Sequence, residues 1–145
     1  MSIIYKPQKD MELFAPFGPT MGYFRMPYEL VEKLNNKMSD KLKSYADNLV
    51  GKVSQELAFD EEILTIAQKG LGQFIGQYQA YTDFRNSMGQ KKPDLEKFDY
   101  GLQIVSGWFV RQFENEYNPL HIHTGSRLSC VGYLKLPEGI EEEWE

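Results

Sequence analysis

The sequence predicts an α+β fold in which N-terminal helices pack on an antiparallel sheet. Between residues 28 and 84, apolar side chains recur at helical spacing, and from about residue 102 they recur at every second position. An amphipathic helix needs an apolar partner, and the face of a sheet supplies one. At 145 residues the chain is long enough to bury a hydrophobic core. We therefore predict a single domain over residues 1–145.

Residues 1–27 are predicted to form an extended N-terminal segment. Four prolines and two glycines discourage helix formation in this part of the chain. The stretch MGYFRMP, residues 21–27, is its best strand candidate.

Residues 28–90 are predicted to form the helical support of the sheet. A first helix should begin at Tyr28 and end near Tyr45, because apolar residues recur there at every fourth position. These residues are Leu30, Leu34, Met38 and Leu42. Pro27 suits the start of this helix, since its ring fixes φ and a first-turn amide has no intrahelical partner. The stretch SYADNLVGKVSQELAF, residues 44–59, is predicted to be a connection with some helical turns.

A second helix is predicted after Asp60, whose side chain can cap it. Apolar and aromatic residues continue at helical spacing from Ile63 to Phe84, and we interpret this stripe as core that packs on the sheet. Three glycines in the stripe indicate close packing. They are Gly70, Gly72 and Gly76. The stretch NSMGQKKPDLEK, residues 86–97, then breaks the pattern as a loop.

Residues 100–145 are predicted to carry the strands. An incomplete antiparallel sandwich should form from the segments around 102–114 and 127–136, and the first of these is apolar on both faces. The stretch between them is rich in turn formers and places both histidines of the chain at the rim of the sheet.

Composition excludes several classes of function. A net charge of −5 disfavours general nucleic-acid binding. The N-terminus lacks the apolar core of a signal peptide, and no apolar run approaches the ~18 residues of a membrane helix, so we expect a cytoplasmic protein without a membrane partner. The single cysteine, Cys130, is interpreted as a packed thiol of a strand.

The two histidines are separated by one residue. On an extended backbone His121 and His123 point to the same side and can bind one metal ion, while Ile122 points the other way into the core. Imidazole is a common ligand of iron, zinc, copper and nickel. The alternative is a pair of rim histidines bonded to backbone or solvent.

These residues resemble a known family. The stretch GWFVRQFENEYNPLHIHTGSRLSCVGYLKLP is similar to the central part of the iron(II) and 2-oxoglutarate dependent oxygenases that are common in phage and marine bacterial genomes. Their pattern joins an aromatic strand, an Asn ahead of His-x-His, and Ser-x-Val-x-Tyr-Leu on the next strand. The matching positions are Trp108, Asn118, His121, His123, Ser129, Val131, Tyr133 and Leu134.

The resemblance implies a double-stranded β-helix, or jelly-roll, that holds Fe(II), with 2-oxoglutarate and O₂ as cosubstrates. The implied metal ligands are His121 and His123, and a phage-encoded chain would work in the host cytoplasm. The implied cosubstrate contacts are Asn118, Tyr133, Arg127 and Lys135. The alternative for Asn118 is a turn before Pro119, and the alternative for Tyr133 is packing in a strand. For Arg127 and Lys135 the alternative is surface charge. No residue is assigned as a catalytic acid or base.

Two departures from the family pattern matter. Many members of the wider superfamily carry Asp where this chain has His123. Only residues 124–145 follow it, and they contain no further histidine. The distal His and late Arg of the family are absent, so we expect a truncated N-terminal portion with an incomplete jelly-roll and little activity. Exposed sheet edges should then favour a homo-oligomer.

Two other functions remain open. A non-catalytic cupin-like module that binds a metal or ligand would also use His-x-His, but its Glu four or five residues later is replaced by Arg127 and Leu128. A phage structural or interaction protein would carry the histidines incidentally.

Overall fold

The computed structural model describes residues 11–14, 20–87 and 102–140 of the chain. In chain order the elements are strands β1 (Met11–Phe14) and β2 (Met21–Phe24), helix α1 (Tyr28–Lys37), a 3-10 helix (Ala46–Asn48), strand β3 (Gln55–Ala58), helix α2 (Glu61–Asn86) and strand β4 (Trp108–Arg111). Most of the predicted N-terminal segment and of the loop after α2 lies outside the described residues. The α+β class is confirmed.

The strands form two separate antiparallel pairs within the described residues. β1 pairs with β2, which confirms the strand predicted for MGYFRMP, and β3 pairs with β4. The ring of Phe24 in β2 stacks on Phe74 of α2, with centroids 4.1 Å apart and an angle of 7° between the planes. This contact attaches the first hairpin to α2.

Helix α1 begins where the sequence predicted but ends earlier. Met38 already has an extended backbone. The chain leaves the helix because its next residues pair with β3: the amide of Ala58 donates to the carbonyl of Lys43 at 2.8 Å, and the amide of Tyr45 donates to the carbonyl of Glu56 at 2.7 Å. An end near Tyr45 was therefore wrong, because edge pairing with β3 replaces the last helical turns.

The connection before α2 contains the predicted helical turn, as the 3-10 helix, and a strand that the sequence did not predict. β3 pairs with β4 so that Glu56 faces Val110 and Ala58 faces Trp108. Four residues are too few to show a clear period of two, so β3 is defined by its partners.

The core lies between the two helices and the β3–β4 sheet. Its buried residues are Leu30, Leu34, Leu57, Ile63 and Phe109. The predicted helix is confirmed as α2, and the first half of its stripe is buried, at Ile63, Ala67 and Phe74. Toward Phe84 the stripe prediction was wrong, because the buried residues there are Gln77, Gln79 and Ala80. The Oδ1 atom of Asp60 accepts from the amide of Ile63 at 2.9 Å, as a cap should. Gly70 lies against Leu30 of α1, since a Cβ atom at Gly70 would come within 2.5 Å of the leucine Cδ1. That glycine lets the two helices approach each other.

The segment 127–136, predicted as the second strand of a sandwich, has neither helix nor strand. It runs along the helices instead: the carbonyl of Leu134 accepts from Asn35 Nδ2 at 3.2 Å, and Arg127 lies 3.6 Å from Asp83. Its apolar residues Val131 and Tyr133 are exposed. The strand prediction was wrong for this structure, because no strand among the described residues pairs with the segment.

The Cys130 thiol is exposed, so its predicted packing in a strand was also wrong. Partial desolvation by nearby atoms still raises the pKa of this thiol. The raised pKa disfavours the reactive thiolate form.

None of the helices in the described ranges is long and apolar enough to cross a membrane.

One charged residue is buried in the sheet. Glu56 of β3 is 2% exposed, and its Oε1 atom has no hydrogen-bond partner among the described residues. Burial, with a smaller contribution from the charge of Glu116, raises the pKa of the Glu56 carboxyl above 4.5. Ionisation of this carboxyl is therefore less favourable in the folded chain than in the unfolded one.

This linkage makes the effect of Glu56 on stability dependent on pH. Because its pKa is raised on folding, its favourable contribution is complete below the unfolded pKa and is lost as the pH rises through the folded pKa. Glutamine does not ionise, so Glu56→Gln should raise the free energy of unfolding above that of the unsubstituted chain at pH about 8. At pH about 4 the same substitution should raise it less. Urea denaturation across this range measures it, with exposed Glu114→Gln as the control. A Glu56→Gln variant that loses stability at high pH would contradict the argument.

The cap of α2 gives a second prediction. Asp60→Ala removes the acceptor for the Ile63 amide and should lower the free energy of unfolding by about 1 kcal/mol. Asp60→Asn keeps a side-chain oxygen and should retain most of the stability. Urea denaturation followed by circular dichroism compares the two, and equal losses would show that the cap contributes little.

Candidate metal-binding site

The histidine pair lies in an irregular segment that leaves the β3–β4 sheet. Lys52 and Tyr117 exchange two backbone hydrogen bonds, of 2.8 and 3.2 Å, and thereby fix the start of this segment. Beyond them the side chain of Asn118 lies against Gly51, where a Cβ atom would collide with it. The absence of a side chain at Gly51 is what admits Asn118 to this position.

The two imidazole rings meet. The Nε2 atoms of His121 and His123 lie 3.2 Å apart, and the ring planes are 71° apart at a centroid distance of 4.8 Å. Two nitrogens bound at about 2.1 Å to adjacent positions of one ion lie about 3.0 to 3.4 Å apart. The spacing therefore fits two ligands of a single divalent ion, as the sequence predicts, although the segment is not a strand.

A backbone carbonyl fixes the tautomer of His121. Its Nδ1 atom lies 2.7 Å from the carbonyl oxygen of Pro119. A carbonyl only accepts, so Nδ1 carries the hydrogen and Nε2 of the neutral ring keeps its lone pair. In the metal-free pair His123 then donates from Nε2 to His121, and binding a metal requires His123 to move that hydrogen to Nδ1. Carbonyl contacts of this kind orient many metal-binding histidines.

An aromatic row connects the pair to the sheet. Tyr45 stacks on Trp108 of β4 with centroids 4.9 Å apart, and the ring of His123 lies 6.1 Å from Trp108 at 31°. The family pattern singled out Trp108. No local pattern identified Tyr45, because only the folded chain brings the edge of β3 next to β4.

The site is open and has two nitrogen donors. Both histidines are exposed, and so are Leu120 and Ile122, at 103% and 85%. The prediction that Ile122 points into the core was wrong, because no part of the described chain packs over this segment. No group of three or more His, Cys, Asp or Glu residues among the described residues could hold a metal.

The four residues suggested as cosubstrate contacts are not brought together by any contact in the described ranges. Asn118 packs on Gly51, and Arg127 pairs with Asp83 on α2 while its side chain stays 78% exposed. Tyr133 and Lys135 lie exposed on the segment along the helices. Their role toward 2-oxoglutarate stays a prediction.

Comparison with known proteins gives no match: no family model, no curated protein and no solved structure matches this chain.

The tautomers of the pair are directly testable. In the metal-free protein with both rings in the neutral form, His121 should carry its hydrogen on Nδ1 and His123 on Nε2. Long-range proton–nitrogen correlation spectra of the isotope-labelled chain distinguish the two forms, and each ring serves as the control for the other. A hydrogen on Nε2 of His121 would show that the Pro119 contact does not form in solution.

Proposed function

We propose that this chain is part of an iron(II) and 2-oxoglutarate dependent oxygenase in which His121 and His123 bind the metal. The observation that carries the proposal is the 3.2 Å separation of their Nε2 atoms, together with the carbonyl contact that leaves Nε2 of His121 without a hydrogen. The resemblance of residues 107–137 to that family supplies the particular chemistry. A cytoplasmic location, in the host if the chain is phage-encoded, belongs to the same proposal.

The residues of the site would bind and orient rather than transfer protons. Iron(II), when bound with 2-oxoglutarate, supplies oxidative hydroxylation of a C–H bond coupled to release of succinate and CO₂. His121 and His123 would fill two adjacent positions and leave the others for the cosubstrate and O₂. The Pro119 carbonyl would hold one ring, and the neighbouring ring of Trp108 would restrict the other.

The proposal also includes contacts to the cosubstrate 2-oxoglutarate and a jelly-roll fold. Arg127 or Lys135 would bind the distal carboxylate of 2-oxoglutarate, and Arg127 could do so only by releasing Asp83. Asn118 and Tyr133 would contribute polar contacts. In a double-stranded β-helix, β3 and β4 would be two strands, and the segment 127–136 would become a strand on pairing.

Metal binding is tested with the single fluorophore Trp108. In a Trp144→Phe background, Co(II) or Ni(II) at the pair should quench its emission, because the His123 ring lies 6.1 Å away. His121→Ala and His123→Ala should each weaken binding by at least about tenfold, since each removes a ligand. Exposed Glu114→Gln is the matched control. Equal quenching in all variants would place the metal elsewhere and remove the basis of the proposal.

Activity is tested separately by succinate release after anaerobic loading with Fe(II). With two protein donors we expect weak iron binding and slow turnover of 2-oxoglutarate, which His121→Ala should abolish. Succinate release that is unchanged in His121→Ala would contradict the assignment. A chain that binds no divalent metal and forms a stable assembly would instead favour the alternative hypothesis of a phage structural or interaction protein.

A further inference from the structure

We propose that a tetrahedral divalent ion such as Zn(II) bridges two copies of this chain, each of which contributes His121 and His123. The inference rests on the metal-binding part of the proposed function and not on its oxygenase chemistry. Among the described residues only the two histidine nitrogens would bind the ion, so further donors must complete its coordination.

The number of nitrogen donors supports a bridge between two chains. Zinc in proteins takes four ligands in a tetrahedral arrangement, with nitrogens at about 2.0 to 2.1 Å, so adjacent nitrogens lie about 3.3 Å apart. The observed 3.2 Å between the two Nε2 atoms matches one edge of that tetrahedron. The described residues offer no third donor beside the pair. A second, identical pair supplies the opposite edge.

The exposure of both histidine rings also supports the bridge. A buried pair could not reach another copy, but both rings are exposed and stand on a segment that nothing in the described chain covers. A two-fold axis through the ion makes the contact closed, because the same four nitrogens and the same neighbouring surface meet on both sides.

Charge makes the dimer dependent on the metal. Each chain carries a net charge of −5, so two metal-free copies repel each other. The neutral imidazoles contribute no negative charge, and the divalent ion adds positive charge at the contact. We therefore expect the contact between the two histidine pairs to form with the metal and not without it.

The test titrates the full chain with Zn(II) or Co(II) alone. Sedimentation velocity should show a doubling of mass that saturates at one ion per two chains and reverses with a chelator. Co(II) should develop the intense visible absorption of tetrahedral coordination at the same ratio. His121→Ala and His123→Ala should abolish both signals, and exposed Glu114→Gln should leave them unchanged.

The outcomes separate this inference from the proposed function. One ion per chain without a change of mass would overturn the bridge and leave the histidine pair as a metal site. No binding would overturn both proposals. A doubling of mass that persists with the chelator or in the histidine variants would place the contact elsewhere and overturn the bridge.

Discussion

The pairing of β3 with β4 is the constraint on which the rest of the described structure depends. One face of this ladder brings Leu57 and Phe109 into the core beneath the helices, and the other carries Glu56 and Trp108. β3 also continues directly into the capped start of α2. The four residue pairs between β3 and β4 join the core, the start of α2 and the aromatic row. Loss of this strand register would therefore separate the histidine segment from the helices.

The candidate site depends on this sheet without being part of it. The ladder continues irregularly to the Lys52–Tyr117 bridge, where the histidine segment leaves, and Trp108 places an aromatic ring beside His123. Local contacts then decide the ring positions: the Pro119 carbonyl holds His121, and the shared hydrogen holds His123. The result is a pair of adjacent imidazole nitrogens on an open surface, and once His123 moves its hydrogen to Nδ1 the pair is compatible with either an open iron site or a bridging ion.

The chain beyond β4 has more apolar surface than its own contacts cover. Residues Leu120, Ile122, Val131 and Tyr133 are each more than half exposed. Scattered apolar residues are normal on protein surfaces, but these lie on one stretch beside the candidate site. It contacts the rest of the described chain through the partly buried Leu134, which packs against the core, through a hydrogen bond at Asn35 and through a long, exposed ion pair at Asp83. Exposed ion pairs contribute little to stability.

The sequence by itself determined the features that depend on near neighbours. The spacing of Leu30 and Leu34, the cap at Asp60 and the convergence of two histidines one residue apart are local, and each appears in the structure. Only tertiary structure decided the early end of α1, the strand β3 and the irregular course of 127–136. An edge residue becomes strand or loop according to whether a distant partner supplies its hydrogen bonds, and no local pattern contains that information.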